Sequence, residues 1–280
     1  MPEGIELALS ADELVAHLYR NKKWLNLVYV KQHTNSFSDV NIQNLLPALN
    51  KPIVDIFYKG KYNFIVLSNN VSIKAHFGMA GQWIINSFDI KQLESLHQQE
   101  REKLANWKPN NTHFELIFAD QETIVQVFYV NTRFGKFHIY TNHQELCEQV
   151  EKIANGFLGR FILTLQEWLY NLSINYTGAK LFREALMDQK TLCSGVGNYL
   201  RIELFYHAKL HPDITIGQLT DEMKINFYHL CLQVIQGHYN NTMDKTIYEK
   251  KHCPHGHLLT KEKKGGRPFY FCSVEQVIGL

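Results

Sequence analysis

The sequence predicts an α+β protein of several domains, with a β-sandwich first, a helical half second and a small β-hairpin last. Three observations predict this order. Short apolar runs with period-two alternation fill residues 25 to about 140, as in antiparallel strands that bury one face. Stretches with helical spacing follow from residue 163 onward. Cysteine and histidine pairs then flank a glycine-rich turn in the tail from Cys253 onward.

Composition limits the function classes. The chain has 280 residues, of which 45% are hydrophobic, enough for one large or two modest cores. No apolar run approaches the ~18 residues of a membrane span and no cationic leader opens the chain, so we expect a cytoplasmic protein that is neither secreted nor membrane-bound. Five scattered cysteines argue against a disulfide framework.

Charge alone does not reveal a polyanion partner, because the net charge is only +2. The exception is local. Between residues 244 and 267 seven Lys or Arg residues stand against three acidic ones. This cluster fits a surface for nucleic acid, and a solvated charged face explains it almost as well.

The elements follow in chain order. Residues 10–13 are typical of a capping box before Leu14, and a helix running unbroken from Glu3 fits equally well. The predicted strands cover residues 25–30, 53–58, 62–67, 71–77, 113–118, 123–130 and 136–140. The predicted helices of the second half cover residues 163–172, 179–187, 199–208 and 219–236.

The amino terminus offers a nucleophile. Methionine aminopeptidase normally removes Met1 before a residue as small as Pro2, and this leaves a secondary amine that titrates near pH ~8. Such an amine can attack a sugar C1′ carbon, and the neighbouring Glu3 can move the protons. On these residues alone an ordinary helix start, with Pro2, Glu3 and Glu6 at its N-terminus, is the better explanation.

The tail carries a metal-ligand pattern. Cys253 with His257, and Cys272 with Glu275, flank a hairpin-sized interval as in structural zinc ribbons. We therefore expect one structural Zn²⁺ site, with His257 preferred because His255 would bend the chain sharply to reach the same ion. Glu275 stands where a second cysteine is usual, so a three-ligand, distorted or metal-free finger stays open, as do two unrelated thiols.

A glycine-rich connection precedes the third predicted helix of the second half. Residues 194–198, Ser-Gly-Val-Gly-Asn, offer backbone N–H groups and the Asn198 amide at a helix N-terminus, which suits a phosphate group. An ordinary helix connection explains the two glycines as well.

Seven blocks in register carry a family resemblance. They are Met-Pro-Glu-Gly-x-Glu at 1–6, Lys-Gly-Lys-Tyr at 59–62, His-Phe-Gly-Met-Ala-Gly at 76–81, Arg-Phe-Gly at 133–135, Asp-Gln at 188–189 with Gly-Val-Gly-Asn-Tyr-Leu-Arg-Ile-Glu at 195–203, His-Pro at 211–212, and Gly-Arg-Pro-Phe-Tyr-Phe-Cys at 266–272. From end to end the chain resembles the formamidopyrimidine-DNA glycosylase and endonuclease VIII family.

The resemblance implies three domains and the roles of their residues. The domains are a catalytic β-sandwich at 1–148, a helix-two-turn-helix DNA-binding domain at 149–244 and a zinc-finger-like hairpin at 245–280. The implied catalytic residues are Pro2 as Schiff-base nucleophile, Glu3 as proton shuttle, Glu6 beside them, Lys61 and Arg267. The implied DNA-binding residues are His76, Met79, Arg133, Phe134, Arg183 and Asn198.

Several of these roles have plainer alternatives. Met79 and Phe134 match a wedge that fills the gap left by an everted nucleotide, or they could be core residues. Lys61 matches a phosphate contact, or it could be a solvated residue at a hairpin tip. Glu203, inside the longest block, could be a helix salt-bridge partner.

The implied function is a bifunctional DNA glycosylase and AP lyase that acts as a monomer on double-stranded damaged DNA and needs no nucleotide cofactor. Thr132 stands where relatives that read the orphaned cytosine carry an arginine, and the 240–247 segment is short where the 8-oxoguanine-excising branch has a long loop that caps the lesion. We therefore expect oxidised pyrimidines and hydantoin-type lesions as substrates. Residues 199–201 and 267–270 also look more like the endonuclease VIII branch. One alternative is a formamidopyrimidine and 8-oxoguanine glycosylase, and another is a non-catalytic protein that binds damaged DNA.

Overall fold

The computed structural model describes residues 2–34, 37 and 40–277. They form two compact units. The first consists of Pro2 and residues 7–150, and the second of residues 3–6 and 151–277. Among the helices of these described residues, none combines the length and apolarity that crossing a membrane requires. The predicted three-domain division remains a prediction.

The first helix, α1 (Gly4–Leu18), begins in the second unit and ends in the first. Its buried stripe of Leu7, Ala11, Leu14 and Leu18 has the spacing of a helix packed on a core. The helix is unbroken from its start, so the capping box predicted at residues 10–13 does not open it.

The first unit is an antiparallel β-sandwich, as predicted. Its strands are β1 (Tyr19–Arg20), β2 (Lys23–Trp24), β3 (Asn26–Gln32), β4 (Lys51–Lys59), β5 (Tyr62–Leu67), β6 (Ser72–His76), β7 (Gln82–Asp89), β8 (Thr112–Ala119), β9 (Thr123–Val130) and β10 (Lys136–Tyr140). Eight of them pair in the order β10-β6-β5-β4-β3-β8-β9-β7, beside the small β1-β2 hairpin.

The prediction missed three elements between Gly81 and residue 107. Strand β7 is one of them, and Trp83 is its only buried residue, so apolar alternation is weak there. The others are the short helices α2 (Ile90–Ser95) and α3 (Gln98–Asn106), which bury no side chain in the described part of the chain. A 3-10 helix (Ile42–Ala48) and α4 (His143–Glu151) complete the unit.

The core of the sandwich positions the end of strand β6. Tyr129 is fully buried, packs its ring 5.3 Å from that of Phe137, and donates its hydroxyl to the carbonyl of His76 at 2.7 Å. Burial raises the pKa of this hydroxyl, so it remains a donor. The end of β6 is therefore fixed from the interior.

The second unit holds the helices and the tail hairpin, as predicted. The elements are α5 (Leu165–Asn175), α6 (Phe182–Ala185), α7 (Asn198–His207), the 3-10 turn Ile216–Gln218, α8 (Asp221–Tyr239), β11 (Thr260–Lys264) and β12 (Arg267–Phe271). Residues 198–206 of α7 are all buried, and Phe205 meets Phe269 edge to face at 5.9 Å. Helix α7 is thus the central element, and the hairpin packs on it.

Candidate functional site

Glu3 lies at the N-terminus of α7. Its carboxylate is buried and accepts three backbone N–H groups, from Gly197 at 2.9 Å, Tyr199 at 3.0 Å and Leu200 at 3.3 Å. A helix N-terminus leaves such donors unpaired and carries partial positive charge. The site therefore favours an ionised carboxylate at this position.

Three glycines allow this approach of the chain start to α7. Gly4 donates its N–H to the carbonyl of Gly195 at 2.8 Å, and a Cβ on Gly4 would lie 2.7 Å from the Gly195 Cα. A Cβ on Gly197 would overlap the Glu3 carboxyl group. The glycines that first suggested a phosphate loop thus also admit the chain's own carboxylate.

The neighbours of Glu3 are Pro2 and Glu6. Pro2 is half-buried, and Met1 lies outside the described residues. Glu6 is exposed, and its Oε2 accepts the Glu3 N–H at 2.9 Å. Burial, together with the carboxylates of Glu6 and Glu3, raises the pKa of the Tyr199 hydroxyl, which is hydrogen-bonded to Glu6. Tyr199 is therefore a protonated donor to Glu6.

Asn198 and Arg267 belong to a basic cluster in the second unit. The buried Asn198 donates Nδ2 to the carbonyl of Pro268 at 2.9 Å, next to the exposed Arg267 at the start of β12. Arg183, which the sequence assigns to DNA binding, is buried and pairs with Asp213 at 2.5 Å. Its direct contact with DNA remains a prediction.

Glu203 has a role that the sequence did not indicate. It is fully buried, and its carboxylate accepts the backbone N–H groups of Thr246, Ile247 and Tyr248 at 2.6, 3.0 and 2.7 Å. Glu203 therefore holds the segment that leads from α8 to the hairpin. The sequence had allowed a salt bridge along the helix instead. A charged residue in the otherwise apolar 202–205 run was the available signal.

In the first unit Lys61 lies in the β4-β5 turn, and His76 ends β6, the strand that pairs with β5. Lys61 follows Gly60, whose φ of +60° forms the β4-β5 turn, and it is buried rather than solvated at a tip. Burial, together with the charges of Lys61 and Lys136, lowers the pKa of His76 to about 4. His76 Nδ1 accepts the Gly78 N–H at 3.1 Å, so the neutral ring carries its proton on Nε2.

Two loops of the first unit present Met79 and Phe134 to solvent. Met79 is 45% and Phe134 75% exposed, so neither is a core residue. The Met79 N–H donates to the carbonyl of Arg133 at 3.0 Å. Asn131 donates to the carbonyl of Phe77 at 2.6 Å and accepts the Gly135 N–H at 3.1 Å. The two apolar side chains thus stand on one cross-linked pair of loops.

The backbone of this loop pair is also strained. Phe134 has a φ of +58°, which costs a residue with a Cβ about 1 kcal/mol or more. Arg133 and Thr132 beside it are exposed. The loop pair therefore holds the Phe134 ring in solvent, in a backbone conformation that a residue with a Cβ disfavours.

The four predicted metal ligands lie together. One ligand atom from each of Cys253, His257, Cys272 and Glu275 lies within 4.8 Å of the others. The His257 Nδ1 is 3.5 Å from the Cys253 sulfur, 3.6 Å from the Cys272 sulfur and 3.5 Å from Glu275 Oε1. Tetrahedral zinc with these donors requires edges of about 3.4 to 3.8 Å, which the three distances from His257 meet. The Cys253 sulfur and Glu275 Oε1 lie closer, at 3.1 Å, so the donor set fits the ion once this edge widens.

Two further side chains approach Glu275. His255 Nδ1 lies 2.8 Å from Glu275 Oε1 but is largely exposed, and the Tyr206 hydroxyl lies 3.3 Å from both carboxylate oxygens. Burial acts to raise the pKa of Glu275, but hydrogen bonds from His255 and Cys253 outweigh it and lower that pKa to about 2. Glu275 is therefore a charged oxygen donor at neutral pH.

Comparisons with known proteins agree with this arrangement. A family model for the formamidopyrimidine-DNA glycosylase N-terminal domain matches residues 1–137. The chain is 27% identical to the formamidopyrimidine-DNA glycosylase of Mycoplasma pneumoniae over 239 residues, 83% of this chain and 74% of that one. It is 26% identical to that of Ureaplasma parvum over 301 residues, 97% and 98% of the two chains.

Solved structures share the fold. A Lactococcus lactis Fpg (MutM) structure in complex with DNA containing an oxidised pyrimidine superposes with a TM-score of 0.78 at 20% identity, over 98% of this chain and 99% of that one. A complex of the Lactococcus lactis protein with DNA containing an abasic site gives 0.79 at 20% identity, over 99% and 100%. At this identity the likeness concerns the fold.

Proposed function

Because the chain belongs to the formamidopyrimidine-DNA glycosylase and endonuclease VIII family, we propose that it is a DNA glycosylase with AP lyase activity in base excision repair. One observation carries the proposal: Glu3, the residue directly after Pro2, has a buried carboxylate that three N–H groups at the start of α7 hold in place. An acid–base group is thereby fixed beside a nucleophilic amine in the chain.

The chemistry starts at the Pro2 nitrogen once Met1 is removed. Its lone pair forms a bond to C1′, and the glycosidic electrons leave with the damaged base, which takes up a proton. Opening of the sugar then gives an iminium ion, which acidifies the C2′ proton. Loss of this proton expels the 3′ phosphate and loss of the C4′ proton expels the 5′ phosphate, so β,δ-elimination cleaves the strand. Glu3 is the group that moves these protons.

The substrate is double-stranded DNA with an everted nucleotide. Eversion costs a few kcal/mol, so the bent backbone must be held by charge-assisted hydrogen bonds. Lys61, Asn198 and Arg267 provide these bonds, and His76 is a further polar contact to the DNA. The exposed Met79 and Phe134 fill the vacated space.

The tail hairpin carries the Arg267 contact. The donor set of Cys253, His257, Cys272 and Glu275 suits a Zn²⁺ ion, and such an ion supplies folding energy to a module with little core.

We propose oxidised pyrimidines as the preferred lesions. Two features support this. Thr132 offers no guanidinium to the orphaned base. Helix α8 ends at Tyr239, only a few residues before the Thr246 N–H that Glu203 accepts, which leaves little chain for a loop that caps the lesion. The names of the relatives favour the alternative, a formamidopyrimidine and 8-oxoguanine glycosylase.

Borohydride trapping tests the proposal. The protein is incubated with duplex oligonucleotides that carry an abasic site, thymine glycol, dihydrouracil or 8-oxoguanine opposite each base. We expect a covalent adduct that maps to Pro2, with the pyrimidine lesions processed fastest. The variant Pro2→Gly should trap and cleave poorly while it still binds the duplex.

The outcomes separate the alternatives. Faster excision of 8-oxoguanine would support the purine enzyme. Binding without any adduct would support a non-catalytic protein that recognises damaged DNA, and retention of Met1 would agree with it because Met1 blocks the amine. Equal activity of Pro2→Gly would refute the mechanism.

A further inference from the structure

Arg201 is a buried cation in α7 that contacts Asn198. It is 4% exposed, and its Nη2 donates to the Asn198 Oδ1 at 2.5 Å while Nη1 lies 3.4 Å from the carbonyl of Arg183. The guanidinium carbon lies 5.0 Å from the centroid of the Phe269 ring. One side chain thus links the first turn of α7 to the inner face of β12.

Arg201 determines which way the Asn198 amide points. Arg201 offers only donors, so the Asn198 oxygen must face it. The amide nitrogen then faces the carbonyl of Pro268, to which it donates at 2.9 Å. One N–H of the amide is used on the hairpin, and among the described residues no hydrogen bond is seen from the second. Without Arg201 the amide could rotate and break the bond to β12.

Charges of both signs surround Arg201: the guanidinium groups of Arg183 and Arg267, and the carboxylates of Glu3 and Glu184. Burial and the guanidinium groups of Arg183 and Arg267 lower the pKa of Arg201 to about 10, so it is still charged at pH 7. Arg183 is paired with Asp213. For Arg201, no carboxylate of the described residues lies within ion-pair distance, and its Nε has no hydrogen-bond partner there. A buried charge of this kind is costly unless an anion approaches it.

We propose that Arg201 is a positioning residue of the DNA-backbone clamp, which holds the Asn198 amide and the β12 strand of Arg267 ready for a phosphodiester. This inference rests on the proposed function. Its distinguishing property is that Arg201 acts through Asn198, so the loss of Asn198 should make Arg201 dispensable for binding. A residue that only fills the interior, or only adds charge, lacks this dependence.

The test is a double-mutant cycle on binding to a duplex with a tetrahydrofuran abasic analogue, which cannot be cleaved. Arg201→Met and Asn198→Ala should each weaken binding about tenfold or more, as for one hydrogen bond to a charged group. In the Asn198→Ala background, Arg201→Met should cost less than about twofold. Lys224→Met, which removes a cation paired with Asp221 on α8, should leave affinity unchanged.

Arg201→Lys separates positioning from charge. Lysine keeps the charge but lacks the planar fork, so its affinity should fall like that of Arg201→Met while the salt dependence of binding stays at the wild-type slope. If Arg201→Met does not fold, as judged by circular dichroism, the cycle uses Arg201→Lys. Additive losses in the cycle, or full affinity with lysine, would overturn the inference alone. A wild-type protein that does not prefer the analogue over undamaged duplex would overturn the proposed function as well.

Discussion

Two buried glutamates allow a matched test of the catalytic assignment. Glu3 and Glu203 each accept three backbone N–H groups, two on one carboxylate oxygen and one on the other. Replacement by glutamine keeps the shape and removes the charge. The variants Glu3→Gln and Glu203→Gln should therefore lose similar stability, but only the first should lose the chemistry.

The loss of stability follows from the hydrogen bonds. In the variant, the glutamine oxygen can take the position of the carboxylate oxygen that accepts two N–H groups. The glutamine NH₂ group then faces the third N–H group, which it cannot accept. Each variant loses one hydrogen bond to a charged group, worth about 1.5–3 kcal/mol, and leaves a buried donor unpaired. We expect about 3 kcal/mol for each variant, a decrease in Tm of roughly 6–12 °C for a unit of this size.

The loss of activity should differ between the variants. General acid–base catalysis contributes about 10²–10⁴-fold, so Glu3→Gln should slow cleavage of an abasic site by that factor. Glu203→Gln should stay within about fivefold of wild type, because in the described part of the chain the Glu203 carboxylate is hydrogen-bonded to the 246–248 backbone and not to Pro2 or Glu3. Single-turnover cleavage at 25 °C, with folding checked by thermal melts, measures both. Equal losses in the two variants would refute the assignment of proton transfer to Glu3.

Further predictions follow from single residues. Because the pKa of His76 is lowered to about 4, the native state resists protonation, so stability should be full above pH ~6.5 and fall toward pH 4. The variant His76→Asn should flatten that slope in denaturant titrations, and an NMR titration of His76 near pH 6.5 would contradict the reasoning. Glu275→Cys should raise the thiolate-to-cobalt absorption of the Co²⁺-loaded protein from two thiolates to three, whereas an unchanged spectrum would place residue 275 outside the coordination sphere. Gly4→Ala should slow cleavage at least tenfold, because its Cβ would meet the Gly195 Cα at 2.7 Å and displace the chain start. Gly178→Ala, where the nearest atom lies at 3.4 Å, is the control, and equal rates in the two variants would refute this steric argument.

The sequence predicted those elements whose side chains alternate or repeat strongly. Strands such as β5 and β9 bury nearly every residue and were placed within two residues of their bounds. Strand β7 was missed because its edge position leaves every side chain except Trp83 half-exposed or exposed. Asp12 and Glu13 of the capping pattern are exposed, but Ala11 within it belongs to the buried stripe with Leu7 and Leu14, so the helix continues through residues 10–13.

The site was predictable where it depends on motifs and hidden where it depends on tertiary contacts. Pro2 and Glu3 were predicted from their place in a recognisable first block, and their catalytic roles stay predictions. The spacing of Cys253, His257, Cys272 and Glu275 predicted that they lie together, as they do. The contacts of Arg201 and Glu203 were not predicted, because their partners are backbone groups or side chains that no local pattern indicates. The Glu203 carboxylate and the Ile247 N–H that it accepts are 44 positions apart.

The placement of Glu3 has a consequence for how the chain is made. Glu3 and Gly197 are 194 positions apart, yet the carboxylate of one holds the N–H of the other. During synthesis the first unit can form its strands while the amino terminus stays unattached, because α7 does not yet exist. Closing so long a loop is slow and comes late in folding. The Glu3 carboxylate therefore reaches its final position only after most of the protein has left the ribosome. If Pro2 and Glu3 have the roles proposed for them, a nascent or truncated chain would carry the amine without the chemistry.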